Sequence, residues 1–285
     1  MLADWQYAAF EQDGPLLAQW ASENEFDGRA YKDPETGLTY PSVTTVLRNT
    51  PKADLMGWAA MKVAERARDR PDIVLGDPDR VVQRLQYAHT DFRDERGWIG
   101  SRVHKAVEAD LRGIWWSPED AFSTEEEAML DAWESFKSMY AVEPILTECT
   151  IIGDGYMGTL DGLWSISDPW TGDHIANALV DVKSSKKIWG EHRMQLAALA
   201  NATHYFEQVE SYGLVHKHPR LGKTFWKKRE GLPDFSEVRI LQLRAEGYTW
   251  KPVVNIDLWY KKFRVYLDLW NVDQEIKLKE NESGF

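Results

Sequence analysis

The sequence predicts a mixed α/β fold, in which a largely helical N-terminal region precedes a half that forms a sheet. Apolar residues recur at helical spacing in the first half, where Val103, Val107 and Leu111 form one stripe. From Pro144 onward, apolar residues instead alternate with polar ones, as they do in strands with one buried face. The chain has 285 residues, 43% of them hydrophobic, which is enough to bury a large core.

Residues 1–143 are expected to be helical apart from one hairpin. The turn signal DPETG separates two β-prone segments in RAYKDPETGLTYPSV and so predicts that hairpin. Helices are predicted in KADLMGWAAMKVAERARDR, which Pro71 ends, and twice in DPDRVVQRLQYAHTDFRDERGWIGSRVHKAVEADLRG. A further helix is predicted in STEEEAMLDAWESFKSMY, because Ser123 or Thr124 followed by acidic residues is the capping-box pattern.

Residues 144–285 are expected to form the sheet and to pack with the first part as one compact unit. Strands are predicted in ILTECTII, YMGTLDGLWSI and ANALVDVKSS, with DPWTGDH as the turn of a hairpin. There follow a helix in IWGEHRMQLAALANATHYFEQV, a strand in SYGLVH and a basic loop in KHPRLGKTFWKKREGLPDFSE. The alternating segment EVRILQLRAEGY, the helix NIDLWYKKFRVYLDLWNVDQEIKL and the polar tail KENESGF complete the chain.

Composition excludes several classes of protein. The single cysteine, Cys149, rules out an internal disulfide framework and a site built from four cysteines, and it fits a reducing compartment. The N-terminus lacks the pattern of a secretory leader, and no run approaches the roughly 18 apolar residues of a membrane span. We therefore expect a cytoplasmic protein without a membrane partner. A net charge of −12 argues against a protein that coats nucleic acid, but not against an enzyme with an acidic metal site.

Two neighbouring segments, GTLDGLW and LVDVKSSKK, carry the residues that point to chemistry. Side chains alternate faces along a strand, so Asp181 and Lys183 lie on one face while Val180 and Val182 lie on the other. With Asp161, Asp181 could hold Mg²⁺ or Mn²⁺ through oxygen ligands, and such a metal lowers the pKa of a bound water. The ammonium of Lys183 would stand beside that water and stabilise the resulting hydroxide.

These segments belong to an ordered series that resembles the PD-(D/E)XK nuclease superfamily. Within it, the chain is most similar to the RecB-type exonucleases and their phage and CRISPR-associated relatives. The series comprises GSRVH with His104, a strand with Glu148, GTLDG with Asp161, the triplet DVK with Asp181 and Lys183, and QLAAL with Gln195. The resemblance runs from TYPSVTTVL to about GYTW and implies a restriction-endonuclease-like core, a mixed central sheet flanked by helices.

The resemblance also implies the role of each residue. Asp161, Asp181, Lys183 and Gln195 would be catalytic. The ligands of Mg²⁺ or Mn²⁺ would be His104, Asp161, Asp181 and the backbone carbonyl of Val182, and the nitrogen ligand would favour Mn²⁺. The expected activity is a metal-dependent exonuclease that hydrolyses phosphodiester bonds at DNA ends, single- or double-stranded, in recombination, repair or phage DNA processing. A single-strand annealing or recombination protein is an expected partner, and a phage-encoded enzyme would work in the bacterial host cytoplasm.

The sequence departs from the RecB-type pattern in two ways. Where these proteins have a tyrosine four residues after the glutamine, this chain has Leu199, and Tyr205 lies further along the predicted helix as a substitute. The cysteines that hold an iron–sulfur cluster in some members are missing, so no cluster is expected.

Several polar, basic and aromatic residues are candidates for binding DNA. They are Ser42, Thr44, Thr45, Ser184, Lys186, Lys187, Tyr205, Lys223 and Trp226. The hydroxyls of YPSVTT and the SSKK segment could bind phosphates, and the basic loop around Trp226 could grip a single strand. Each has a structural alternative: Ser42 as a helix N-cap, SSKK as a solvated turn, and the basic loop paired with the acidic body of the protein.

Other readings of the site remain open at this stage. A D-x-K triplet is commonly a surface ion pair, and His104 could be a partly buried histidine paired with Glu108 one turn on. The same fold could carry a structure-specific endonuclease or a catalytically inactive DNA- or protein-binding member. A carbohydrate enzyme is suggested by the 14 tryptophans and the paired acids, but it leaves Lys183 and His104 without a role.

Overall fold

The computed structural model describes residues 18–19, 28–51, 55–116, 118, 120–210 and 224–283. The helices are α1 (Val43–Val46, continued by a 3₁₀ turn at Leu47–Asn49), α2 (Leu55–Asp69), α3 (Pro71–Val74), α4 (Pro78–Leu85), α5 (Ala88–Leu111), α6 (Thr124–Met139), α7 (Gly190–Ala200) and α8 (Ile256–Ser283). The strands are β1 (Ala18–Gln19), β2 (Ala30–Lys32), β3 (Thr39–Pro41), β4 (Ala141–Gly153), β5 (Tyr156–Ser167), β6 (His174–Lys183), β7 (His204–Glu210), β8 (Thr224–Glu230), β9 (Glu237–Arg244) and β10 (Gly247–Pro252).

A seven-stranded mixed sheet forms the centre of the molecule, in the order β10-β9-β6-β5-β4-β7-β8. All neighbouring strands in it are antiparallel except β6 and β9, which pair in parallel from Ala178 opposite Glu237 to Lys183 opposite Gln242. A second, small sheet contains β1, β2 and β3. The predicted mixed sheet flanked by helices is therefore confirmed.

Helices cover both faces of the large sheet because its strands are apolar on both sides. One apolar layer joins α1, α7 and α8 to strand residues such as Leu163 and Leu179. The other joins α5 and α6 to residues of the opposite parity, such as Val180 and Val182. The alternation predicted for β6 is thus confirmed. Helices α1, α5 and α6, from the first predicted part of the chain, pack against a sheet that begins at Ala141.

The N-terminal predictions agree closely with the structure. The hairpin predicted at DPETG is formed by β2 and β3. Helix α6 begins with a complete capping box: Ser123 caps the backbone of Glu126, and the Glu126 carboxylate accepts a hydrogen bond from the backbone N–H of Ser123. Both halves of this exchange satisfy N–H groups that the first turn of a helix leaves open.

Three predictions about the C-terminal part are wrong. The helix predicted from Ile188 to Val209 ends at Ala200, because Asn201 caps it and the alternating segment HYFEQVE forms strand β7 with Phe206 buried. Part of the predicted basic loop is strand β8, which pairs with β7 along its length. The predicted polar tail is helical as far as Ser283. The predicted strand SYGLVH lies outside the described residues.

No helix in the part of the chain that the structure describes combines the length and the apolar character needed to cross a bilayer.

Candidate active site

Strand register brings the acidic residues of the second half together. In the pairing of β4 with β5, Thr147 faces Gly162 and Cys149 faces Leu160, so Glu148 and Asp161 occupy facing positions between these pairs. In the pairing of β5 with β6, Gly162 faces Val180, which places Asp181 at the next position along β6. Since facing residues on antiparallel strands are close neighbours, three carboxylates from three adjacent strands come together beside the C-terminal end of β6.

Asp181 and Lys183 lie on the same side of β6 and form a partly buried ion pair. The Nζ atom of Lys183 donates to Oδ1 of Asp181 at 2.6 Å, and the Asp181 side chain is 1% exposed. Among the described residues, Oδ2 of Asp181 has no hydrogen-bond partner. A buried carboxylate oxygen without a donor is costly, so this atom is well placed to accept a cation.

Burial and charge act differently on the two members of this pair. Burial raises the pKa of Asp181 to about 7; the Lys183 charge opposes this rise and the Asp161 charge adds to it. Burial lowers the pKa of Lys183, but the charges of Asp181, Asp161 and Glu148 outweigh it and raise that pKa above its ordinary value. Lys183 therefore remains a cation at neutral pH and is suited to stabilise an anion rather than to accept a proton.

His104, Glu148 and Asp161 form the group with the spacing of a metal site. Potential ligand atoms of these three side chains all lie within 4.8 Å of one another. Nδ1 of His104 lies 3.5 Å from Oδ2 of Asp161, and the same oxygen accepts a hydrogen bond of 2.9 Å from the backbone N–H of Val182. The group therefore contains one nitrogen and two carboxylate donors.

Burial also shifts the pKa values of two members of this group, His104 and Glu148. Burial lowers the pKa of His104, against the Asp161 charge, which raises it, so the neutral imidazole that can bind a metal predominates at neutral pH. Burial raises the pKa of Glu148 well above its usual range, and the neighbouring charges of Asp161 and Glu108 raise it further. A divalent cation would compensate this crowding of negative charge.

The backbone at Glu148 is strained. Its φ is +46° in the middle of strand β4, a conformation that non-glycine residues adopt rarely and that costs about 1–3 kcal/mol. Such strain persists only where surrounding structure imposes it and concentrates at functional sites. The long pairing of β4 with β5 supplies that constraint and holds the Glu148 carboxylate beside Asp161.

Helix α5 reaches the end of the sheet because a glycine permits its close approach. A Cβ atom at Gly100 would lie 2.8 Å from Oγ of Ser184, in the segment that follows β6. Next to it, Arg102 forms a buried ion pair of 2.8 Å with Glu126, which lies in the first turn of α6 and belongs to its capping box. These two contacts fix α5 and so position His104 over the acids.

A cleft of about 600 Å³ opens above these residues. His104, Glu148, Asp161, Lys183 and Gln195 line it. Its walls also carry three further cationic side chains, from Arg29, Arg96 and Lys105, and the hydroxyl groups of Ser42, Thr44, Ser101, Thr159, Ser184 and Ser185. A floor of acids beneath walls of cations and hydroxyls is suited to a metal together with a phosphate ester.

The structure places the YPSVTT hydroxyls in different roles. Ser42 caps α1 and accepts a hydrogen bond of 3.0 Å from the Thr45 backbone N–H, yet it also lines the cleft. Thr44 is exposed on the cleft wall. Thr45 is buried and is not among the residues that line the cleft. Its hydroxyl donates to the Arg29 carbonyl at 2.7 Å. Of these three residues, Thr44 is the exposed one, and its hydroxyl oxygen lies 2.9 Å from that of Ser42.

The SSKK segment is only partly in the cleft. Ser184 lines it, together with Ser185, while Lys186 and Lys187 are exposed and lie outside its lining. The Nζ atom of Lys187 lies 5.6 Å from the ring centroid of Trp189.

Tyr205 lies on strand β7 rather than on the predicted helix, outside the lining of the cleft. Leu199, at the position of the RecB-type tyrosine, is buried on the cleft wall against Gly158, 3.0 Å from where a Cβ atom of that glycine would lie. An apolar contact thus takes the place of a phenolic hydroxyl.

The structure describes only some side chains of the predicted basic loop. Lys223 lies outside the described residues, and for Trp226 the structure describes only the backbone, which belongs to β8. Nζ of Lys228 lies 3.2 Å from buried Asp33, and Arg229 lies 2.6 Å from Glu207. These two basic residues pair with acidic groups of the protein itself, as the structural alternative expects.

Sequence reasoning placed Glu148 on a strand without giving it a chemical role, and it missed Arg29 and Lys105. Glu148 is recognisable only when the register of β4 against β5 is known, since no local motif surrounds it. Arg29 and Lys105 lie far apart in sequence and meet at the cleft only through the fold.

No family model matches this chain, and no curated protein is similar to it in sequence.

Proposed function

We propose that the chain is a divalent-metal-dependent deoxyribonuclease, an exonuclease that hydrolyses phosphodiester bonds at DNA ends. The observation that carries the proposal is the grouping of His104, Glu148 and Asp161 in one cleft with Lys183, whose ion-pair partner Asp181 is buried. The order of these residues in the chain, and its resemblance to RecB-type exonucleases, support DNA as the substrate.

The residues present fit a divalent metal. Asp161, Glu148, Asp181 and the Val182 carbonyl would supply oxygen ligands and His104 a nitrogen, a set that suits Mn²⁺ and accepts Mg²⁺. Oδ2 of Asp181, for which the described part of the chain offers no hydrogen-bond donor, and the raised pKa of Glu148 both indicate a place for positive charge. A bound metal supplies Lewis acidity and lowers the pKa of a coordinated water.

The side chains of the protein do the remaining work. Lys183, held by Asp181 and kept cationic by the acids around it, stabilises the negative charge that develops at the phosphorus. Arg29 and Lys105 on the walls bind the flanking phosphates, with the hydroxyls of Thr44 and Ser184 beside them. Gln195 on α7, which also lines the cleft, orients the substrate.

The size of the cleft supports action at an end. A volume of about 600 Å³ falls within the range of pockets that enclose small ligands. It therefore suits a few nucleotides of one strand better than an uninterrupted duplex. An annealing or recombination protein that delivers such ends remains a prediction from the resemblance.

The test is a cleavage assay on end-labelled single strand, linear duplex and covalently closed circular DNA, with Mn²⁺, Mg²⁺ or chelator. We expect nucleotide release from the linear substrates with a metal, and loss of release in Asp161→Asn and Lys183→Met. Asp131→Asn and Lys251→Met, at exposed positions on α6 and β10, are matched controls and should retain activity.

Each outcome decides between the alternatives. Cutting of the closed circle would replace the exonuclease by a structure-specific endonuclease on the same site. Metal-dependent DNA binding without cleavage would make the chain a binding protein. Release that persists undiminished in Asp161→Asn would refute the assignment of the site.

A further inference from the structure

The last helix, α8, has two apolar faces. One is buried against the sheet through Phe263, Leu267 and Trp270, each at most 5% exposed. A second set of aliphatic side chains lies roughly opposite, about half exposed: Leu258 63%, Val265 64%, Leu269 46%, Val272 51% and Ile276 49%. The first face explains how α8 packs in the monomer, and the second does not.

The exposed set, which we term the outer stripe, has the spacing of a helix–helix interface. Val265, Leu269, Val272 and Ile276 follow one another at intervals of four, three and four residues, the pattern of the a and d positions of a coiled coil. With Leu258, the stripe runs for about 27 Å along the helix at 1.5 Å per residue. Lys262 is exposed and occupies the heptad position between Leu258 and Val265, where its long side chain can extend past the stripe to water. Single exposed apolar side chains are ordinary, but a line of five with one such interruption is typical of a binding surface.

We propose that the outer stripe is the interface of a homodimer in which the α8 helices of two copies pair antiparallel. A two-fold axis places the same stripe on both sides, so the surface is its own complement. The register that aligns the a and d positions sets Leu258 against the partner's Ile276 and Val265 against the partner's Leu269.

Charged residues along the edge of the outer stripe favour a second copy of the chain as the partner. They also favour antiparallel over parallel pairing of the two helices. In this register, Lys261 of one copy lies beside the partner's Glu275, and the pair occurs twice by symmetry. A parallel pairing would instead set Asp268 beside the partner's Asp273 and Glu275 beside the partner's Glu280, because each g position of a parallel coiled coil faces the e position five residues on. Lys261 and Glu275 are both exposed, and Glu275 holds Lys279 of its own helix at 2.6 Å. Asp268 lies next to the axis, where it meets its own counterpart and weakens the dimer.

The first test is sedimentation velocity of the full chain over a concentration series. We expect a reversible monomer–dimer equilibrium in the wild type. Val265→Glu and Leu269→Glu each place a charge in the stripe and should weaken dimerisation by about tenfold or more. Leu278→Glu is the matched control, because Leu278 is 57% exposed on the same helix but lies outside the stripe. Thermal melts establish that each variant is folded, and a wild type that stays monomeric throughout overturns the proposal.

The second test addresses direction. Lys261→Glu and Glu275→Lys should each weaken the dimer, and the double variant should restore it, because the exchanged charges meet again across the axis. Asp268→Asn should tighten the dimer by removing the repulsion at the axis. A double variant that associates more weakly than either single variant contradicts antiparallel pairing. None of these residues lines the cleft, so the outcome is independent of the nuclease assay.

Discussion

Replacing Asp181 by asparagine should stabilise the protein in the absence of metal. The carboxylate is buried, and its pKa rises from 3.8 to about 7. Below about pH 4 the carboxyl group is protonated in both the folded and the unfolded chain. Between about pH 4 and 7 the unfolded chain releases the proton while the folded chain keeps it, so stability falls as the pH rises through this window. Above about pH 7 the loss is complete.

The size of the effect follows from the same pKa. A rise from 3.8 to about 7 corresponds to about 4 kcal/mol at pH 8, and to about 2 kcal/mol at pH 5, where only part of the window has been crossed. For a chain of 285 residues, 4 kcal/mol raises the Tm by about 7 °C. Asparagine has the same shape without the charge. In the presence of chelator, the free energy of unfolding of Asp181→Asn should therefore exceed that of the wild type by this amount.

Addition of metal should reverse the order of thermal stability of the wild type and Asp181→Asn. Mn²⁺ binds the deprotonated ligands, so the wild type should gain stability on its addition, and more at about pH 8 than at about pH 5. Asp181→Asn should gain little and should lose cleavage. The measurement is thermal melting of both proteins at the two pH values, with Mn²⁺ and with chelator. The reasoning fails if Asp181→Asn melts below the wild type in chelator at the higher pH, or if Mn²⁺ stabilises both equally.

Three further variants probe other parts of the site. Lys183→Met should lower cleavage by about 10²–10³-fold yet keep the Mn²⁺-dependent rise in Tm, since the cation it removes is not a metal ligand; loss of that rise would place Lys183 in the metal site instead. His104→Ala should reduce the preference for Mn²⁺ over Mg²⁺ in calorimetric titration, and an unchanged preference removes the imidazole from the ligands. Glu126→Gln leaves Arg102 buried without its charge partner and should cost about 3–5 kcal/mol in denaturant unfolding, whereas a cost under about 1 kcal/mol would show that the pair contributes little.

Strand β6 and the shared face of Asp181 and Lys183 were predictable from the sequence, because alternation within a strand is a local property. Val180 and Val182 enter one apolar layer while Asp181 and Lys183 lie on the other side, as period 2 requires. The capping box at Ser123 was predictable for the same reason. Local patterns fix which face a residue occupies but not which strand lies next to it.

The features that sequence reasoning missed depend on long-range pairing. Glu148 gains its role from its position opposite Asp161, and that register comes from the whole length of β4 and β5. Strand β8 was predicted as a loop because its basic residues resemble a solvated segment, yet pairing with β7 brings Arg229 beside Glu207. The predicted helix ran past Ala200 because Ala-rich propensity obscured the cap at Asn201.

The single parallel strand pair in the sheet determines when, during synthesis, the part of the sheet around the candidate site can be completed. Strand β6, which carries Asp181 and Lys183, is flanked on one side by its hairpin partner β5 and on the other by β9, which begins only at Glu237. A nascent chain that has emerged only as far as β8 therefore presents β6 as an open edge, with unsatisfied backbone groups on an apolar strand. Such long-range closure is slow, so the newly made chain passes through an interval in which it is prone to aggregation and its proposed metal site is incomplete.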